Sequence, residues 1–345
     1  MSRNIRIILL ALIVLSAAGS FYVYQNYIAG PAVPEGLPDY TVKVPTGVGF
    51  ETVVDSLKAK GVLQDEQVFR LFAERMAYVR NPMRAGRFEL KPGWSMIQLI
   101  RHLRNGPQAP VNVVLTTNER LPEEVAAKAS SFLEPDSVDI WIAMQDQALL
   151  EQMELDEQTL ISLFIPNTYE LFWNTSPQGF MKRMKKEHDR FWSSNNRLAK
   201  AEALGMSPEE VYTLASIVEK ETLLKAEKPR IAGVYLNRLE IGMPLQADPT
   251  AVFARRDFGT PRVTDYHTKF DSPYNTYKHR GLPPGPIAMA SISSIEAVLN
   301  AERHDYLYFC ALGDGSGQHA FARNLAAHNR NAAIYRRNLR ERGLR

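Results

Sequence analysis

Two glutamates, Glu219 and Glu221, stand in the run Leu214-Ala215-Ser216-Ile217-Val218-Glu219-Lys220-Glu221-Thr222. A carboxyl group can act as general acid in one step and general base in the next. On a helix, side chains two positions apart point about 200° apart, so these two cannot share a face. One turn from Glu221 lie Ile217, Val218, Leu224 and Lys225, and Glu followed by Lys at i+4 is the arrangement of a solvent-exposed pair. One turn from Glu219 lie Ala215, Ser216, Thr222 and Leu223, with no charge to compensate it. Desolvation there favours the neutral acid and raises its pKa, which makes Glu219 the expected acid/base. The plainer alternative is that Glu219 is the polar edge of an amphipathic helix. Downstream, Gln246, Asp248 and Thr250 follow a Gly-Met-Pro turn, and Tyr274, Asn275 and Tyr277 precede Gly281-Leu282-Pro283-Pro284-Gly285-Pro286. Tyrosine faces and uncharged amides on a proline-stiffened backbone suit a polyhydroxylated ligand, although the same residues also make ordinary surface turns.

Other chemistries find less support. The seven histidines show no H-x-x-x-H or H-E-x-x-H spacing, so no metal and no cofactor is expected. A serine nucleophile lacks its G-x-S-x-G elbow. Gly313-Asp314-Gly315-Ser316-Gly317 is not followed by Gly-Lys-Ser/Thr and reads as a turn or hairpin. The single cysteine, Cys310, cannot close an intrachain disulfide and reads as a small buried hydrophobe in the apolar run Tyr306 to Leu312. A formal charge of +3 over 345 residues gives no reason to expect nucleic acid, and 45% hydrophobic with 23% charged residues excludes disorder as the dominant state.

The elements that must position these residues follow from periodicity. Tyr40 to Val44 alternates as a strand, Phe50 to Ala59 has helical spacing, and the order recurs with a strand at Gly86 to Leu90 and a helix from Ser95 to Leu103 capped by Ser95. The helix Gln67 to Arg80 lies between them, giving a small α+β module over 40–106. Val111 to Leu115 is a strand. Pro122 to Leu133, Val138 to Met153, Gln178 to Trp192 and Ala199 to Leu204 are helical, within a helical segment 119–204. Ser207 caps the helix that carries both glutamates, which continues to Leu224, and Pro229 to Leu239 forms the next. The arginines from Arg323 to Arg345 fall on and after a final helix, with a basic tail at 339–345.

At the other end, Arg3 and Arg6 precede a stretch from Ile7 to Pro34 without Asp, Glu, Lys, Arg or His. A bilayer needs roughly 20 apolar residues, and the basic flank orients the chain with residues 1–6 in the cytoplasm. The expectation is a transmembrane helix at 7–26, with Tyr22, Tyr24 and Tyr27 at the outer interface, and an extended linker at 27–39. Cleavage as a signal peptide near Ser16-Ala17-Ala18 is the rival. No cysteine near residue 20 supports a lipoprotein anchor.

Four runs in this order carry a resemblance: LASIVEKET (214–222), PLQADPT (244–250), SPYNTYKHRGLPPGPI (272–287) and GQHAFARNLAAHN (317–329). Together they resemble the YceG-like endolytic murein transglycosylases, the MltG family, over about residues 40 to 335. IPNTYE (165–170) is similar to that family's motif beside the catalytic cleft. The resemblance implies an α+β fold: an N-terminal transmembrane helix, a LysM-like module at 40–106 and a YceG-like catalytic domain at 107–338. It implies a lytic transglycosylase of the cell inner membrane, with a periplasmic body acting on peptidoglycan glycan strands, and growth-zone synthases as partners by analogy. Glu219 would protonate the leaving oxygen of a MurNAc–GlcNAc β-1,4 bond, then take the proton of the MurNAc C6 hydroxyl as it attacks C1, leaving a 1,6-anhydro end. Gln246, Asp248, Thr250, Tyr274, Asn275, Tyr277, His319 and Tyr169 would contact sugars or support the cleft. The chain departs from the family pattern at Met289-Ala290-Ser291 and at Thr116-Thr117-Asn118. Two alternatives remain open: a muramidase using water, with Asp248 as second carboxylate, and a non-catalytic wall-binding scaffold.

Overall fold

The computed structural model describes residues 3–25 and 30–344. Tyr27, expected at a membrane interface, lies outside the described residues. The chain divides into two compact units. The first is Met1–Asn112 with Phe132–Glu134 and Glu170–Thr175; the second is Val113–Ser131, Pro135–Tyr169 and Ser176–Arg345.

In the first unit, helix α1 (Arg3–Val23) precedes strand β1 (Thr41–Val44), α2 (Phe50–Ala59), α3 (Glu66–Arg75), β2 (Gly86–Glu89) and α4 (Met96–Asn105). Among the described residues no helix is long and apolar enough to cross a membrane. β1 and β2 pair antiparallel with Val42 opposite Phe88, and both side chains are buried. This is the inward half of a period-two pattern. Val53, Val54 and Leu57 of α2, Phe69 of α3 and Leu99, Ile100 and Leu103 of α4 complete the core. Ser95 caps α4 in a box with Gln98. The expected helix to Arg80 stops at Arg75 instead. Ala77 takes φ +50°, and Tyr78 turns inward, its ring edge-on to Phe50 and Phe69. Burying that ring outweighs another helical turn. Ordered packing also starts before Tyr40: Val33 is fully buried, and the backbone N–H groups of Ala32 and Val33 donate to the Trp94 carbonyl. Ala32 and Val33, in the middle of the expected linker, therefore pack with the core.

Strands β3 (Pro110–Val114) and β4 (Thr168–Phe172) form a second two-stranded sheet. The second unit is otherwise helical up to its last hairpin. α5 (Pro122–Ser130) is followed by α6 (Ser137–Met144) and α7 (Gln147–Gln152), where one helix was expected. The break is at Asp146, whose carboxylate caps α7 by accepting from Leu149 N. Then come α8 (Pro177–Ser193), α9 (Arg197–Ala203), α10 (Pro208–Glu221), α11 (Lys228–Glu240), α12 (Asp248–Arg255), α13 (Asp265–Thr268) and α14 (Ile292–Leu299). The hairpin of β5 (Tyr308–Ala311) and β6 (His319–Ala322) is closed by the glycine-rich turn, and α15 (Leu325–Glu341) ends the chain. α10 is the central helix: every residue from Val211 to Val218 is buried, as in a helix enclosed on all sides. α11 lies close against the chain at Gly233, where a Cβ would stand 2.4 Å from the Glu302 carbonyl oxygen.

Candidate active site

α10 ends three residues earlier than its apolar pattern suggests. Glu221 is its last residue, and Thr222 is extended, its hydroxyl accepting from Leu224 N. Glu221 and Lys225 are therefore not on one helix, and the expected surface pair does not form. Glu221 turns inward: Tyr235 of α11 donates its hydroxyl to Oε1 at 2.5 Å. Burial pushes this carboxyl up to about 7, further raised by the charge of Asp248 and partly offset by the Tyr235 hydrogen bond and Arg238. A position at a helix C-terminus also disfavours the anion.

Glu219 meets the opposite fate. Burial would raise its pKa, but Lys228 Nζ at 2.8 Å and the hydroxyls of Ser291 and Ser294, each at 2.5 Å, converge on Oε2 and hold the carboxyl below its ordinary value. The expectation of an uncompensated, neutral Glu219 is thus corrected. Its counter-charge comes from the start of α11, nine residues on, which a one-turn inventory of neighbours does not reach. Lys228 is nearly inaccessible, with 5% of its side chain exposed. The pair with its serines knits the end of α10 to the starts of α11 and α14. Ser291, in one of the segments that departs from the family pattern, is the N-cap of α14.

Three further hydrogen bonds tie α10 to neighbouring backbone. Ser216 accepts from Ile287 N at 3.0 Å, and the Tyr212 hydroxyl accepts from Ala290 N at 3.0 Å while donating to the Phe164 carbonyl. Arg238 fastens the other side, donating to the carbonyls of Leu307 and Leu245 at 2.6 Å each.

Glu221 and Asp248 line two adjoining cavities. One, of about 450 Å³, is walled by Tyr235, Gln246, Tyr277, Tyr308 and His319; the other, of about 590 Å³, by Arg120, Lys220, Phe253 and Phe258. Together they form a two-armed cleft with the two carboxylates at its middle. Asp248 begins α12 and accepts the Tyr277 hydroxyl at 2.5 Å. His319 Nδ1 lies 2.8 Å from Glu227 Oε2, and the His319 N–H donates to Oε1 of the same carboxylate, fixing β6 along the cleft. Gln246, Asp248, Tyr277 and His319 are thus brought together, but around Glu221. A larger cavity, about 1360 Å³, is lined by Glu154, Asp156, Glu209, Glu210 and Glu240 and by none of the expected residues. Size alone does not make it the site, because the raised carboxyl is elsewhere.

Four other expected contacts stand back from the cleft. Thr250 is fully buried, its hydroxyl 2.8 Å from that of Thr276, which also accepts from Ala247 N. Asn275 is fully buried: its amide donates to the carbonyls of His267, Thr268 and Phe270, and its oxygen accepts from Tyr277 N. Both organise the backbone that presents Gln246, Asp248 and Tyr277. Tyr169 is buried with its hydroxyl on the Ile165 carbonyl, and Tyr274 packs on Phe253 at 4.8 Å. A hydroxyl or amide whose donors go to backbone carbonyls has no donor left for a sugar, and burial keeps its remaining acceptor out of reach. Cys310 is half-buried and faces the 450 Å³ arm, where burial raises its thiol pKa. The sequence reading missed Tyr235, Arg238 and Tyr308. Tyr235 and Arg238 sit three apart on α11, a spacing that marks a shared face but not what it meets. Among the described residues no group of His, Cys, Asp and Glu could hold a metal ion.

The model of the YceG-like family matches residues 42–334. The endolytic murein transglycosylase of Bacillus subtilis is 27% identical over 327 residues, covering 90% of this chain and 89% of that protein. The protein of the same name from Streptococcus pneumoniae serotype 2 is 28% identical over 356 residues, covering 94% of this chain, which spans 64% of the pneumococcal protein's length. The crystal structure of a yceG-like protein from Listeria monocytogenes superposes with a TM-score of 0.56 at 28% identity, over 84% of this chain and 97% of that one.

Proposed function

The chain belongs to the YceG-like family, and from that premise we propose that it is a peptidoglycan lytic transglycosylase whose proton-carrying residue is Glu221. The single observation behind this choice is a carboxyl with a pKa of about 7 at the middle of a two-armed cleft. Such a group is protonated often enough to act as an acid and ionised often enough to act as a base at neutral pH. Glu221 protonates the departing glycosidic oxygen. The same carboxylate, now ionised and held by the Tyr235 hydroxyl, then accepts the proton of the muramyl C6 hydroxyl as that oxygen closes on C1. Glycosidases generally use two carboxylates; here the attacking oxygen belongs to the substrate, so one can serve both steps. Asp248, kept in place by Tyr277, faces the positive charge that develops on the sugar ring and stabilises it electrostatically. The endolytic mode follows the relatives' name, and a cleft open along two arms suits a strand that continues past both sides of the cut.

The reading extends to location. Residues 40–106 are taken as a LysM-like module, and α1 as an anchor with its N-terminus cytoplasmic and the rest of the chain periplasmic. What supports the anchor is the charge-free stretch from Ile7 to Pro34 and the exposure of Ile7, Leu10, Ile13 and Leu15 of α1, each between 59% and 68%. Aliphatic side chains so exposed are better accommodated by lipid than by water. Synthases that extend nascent strands are proposed partners because they supply this polymer.

Mass spectrometry of the fragments released from purified glycan strands tests the reaction class. Ends lighter by one water than hydrolysed ends are expected. Hydrated ends would establish a muramidase, and no fragments a binding scaffold.

A further inference from the structure

The 590 Å³ arm of the cleft carries two cations that no carboxylate contacts directly. Among the described residues, Arg120 and Lys220 form no ion pair. The Arg120 guanidinium lies 4.5 Å from the centre of the Phe258 ring, and Lys220 Nζ donates to the Thr117 carbonyl at 2.9 Å. Both are half-buried, and both line the arm that Glu221 and Asp248 close at one end. Burial first, and then the charge of Arg120, hold the Lys220 pKa below its ordinary value, and the charges of Glu219, Glu124 and Glu119 offset this only in part. Two cations facing one cavity without a directly paired carboxylate repel each other in the free protein and are relieved when an anion enters between them.

We propose that Arg120 and Lys220 form a subsite for a carboxylate carried by the sugar bound next to the scissile bond. This deepens the proposed function and rests on it, because the arm opens directly from Glu221. A muramyl residue cut there carries a lactyl ether on its ring. In peptide-free strands that ether ends in a free carboxylate; in stem-bearing strands it is amidated, and the nearest carboxylates belong to the peptide. An arginine offers a flat fork matched to two carboxylate oxygens, and its stacking on Phe258 holds the fork in orientation. The lysine adds a point charge from the α10 side. Charge here selects which strands enter, while Glu221 does the proton transfer.

The test uses the full-length protein and three substrates: peptide-free strands, the same strands with carboxyls converted to methylamides, and strands bearing peptide stems. Wild type should cut a carboxylate form with kcat/KM about tenfold or more above the methylamide form, the effect of one charge-assisted hydrogen bond. The difference should lie in KM. Preference for peptide-free strands identifies the lactyl carboxylate as the ligand, and preference for stem-bearing strands the peptide carboxylate; either sustains the subsite. Arg120→Gln should bring the ratio close to one, and Arg120→Lys should keep most of it. Lys220→Gln serves as a second variant should Arg120→Gln fold poorly. Equal rates of wild type on carboxylate and methylamide strands, or a ratio unaltered by either neutral substitution, would overturn the proposal. Binding of the same strands to Glu221→Gln protein reads the subsite without catalysis. A carboxylate preference there, with no anhydro product from wild type, would sink the reaction assignment and leave the subsite standing; anhydro product without the preference does the reverse.

Discussion

Replacing Glu221 by Gln should make the protein more stable at alkaline pH while disabling it. Its carboxyl is raised from 4.5 to about 7 in the folded chain, so folding favours the protonated form. That contribution is fully present below the unfolded value of 4.5, declines as pH rises, and is lost above 7. At 1.36 kcal/mol per pKa unit, the shift corresponds to about 3 kcal/mol between the two limits. Glutamine is neutral throughout and still offers an oxygen to the Tyr235 hydroxyl. The variant should therefore match wild type within about 1 kcal/mol near pH 5 and exceed it by about 2–3 kcal/mol near pH 8. Glu219→Gln should behave oppositely, losing about 3 kcal/mol across that range because it leaves Lys228 charged and unpaired in the interior. Urea unfolding of the full-length protein in detergent, followed by tryptophan fluorescence at pH 5, 6.5 and 8, measures both. Parallel pH slopes for wild type and Glu221→Gln would refute the reasoning, as would a gain in stability for Glu219→Gln.

Four other outcomes follow. Asp248→Asn removes the charge that helps raise Glu221, so the alkaline limb of the pH–rate profile should move to lower pH; Tyr235→Phe removes a bond that favours the carboxylate, so it should move to higher pH. Steady-state rates from pH 5 to 9 check both directions. Asn275→Ala leaves three carbonyls without their shared donor and should cost about 2–3 kcal/mol by urea titration, with KM rising as Tyr277 loses its support. Arg or Asp substituted at Leu10 and Ile13 should release the protein from membranes into the soluble fraction, seen by flotation; full retention would count against the anchor.

How much of this was legible in the chain depends on the range of the interaction. Strands β1 and β2, the Ser95 cap and the hairpin around Gly313 to Gly317 are encoded within a few residues each, and they were readable from alternation, cap and turn chemistry. The ends of α3 and α10 were not. Periodicity continues past both, and the helices stop because Tyr78 is claimed by a distant core and Thr222 by an extended turn. The glutamate motif could be found by eye, but assigning the proton to Glu219 used only neighbours one turn away. Lys228, Ser291 and Ser294 reach that carboxyl from two other helices, and Tyr235 reaches Glu221 from α11. Likewise the polar segment from Asp271 to Tyr277 was recognisable as site-forming, yet Asn275 and Thr250 looked like ligand contacts when their polar atoms are used up inside the loop. Residue type marked the neighbourhood; burial decided which side chains face the cleft.

The most direct measurement of the central claim is the rate at which purified protein forms 1,6-anhydro ends on glycan strands, compared between Glu221→Gln and Glu219→Gln at a pH where both are folded. Removing a general acid/base should cut the Glu221→Gln rate by about 10²–10⁴, while Glu219→Gln retains activity in proportion to its folded fraction. Anhydro ends formed at an undiminished rate by Glu221→Gln, with activity abolished in folded Glu219→Gln, would contradict the assignment and return the proton to Glu219.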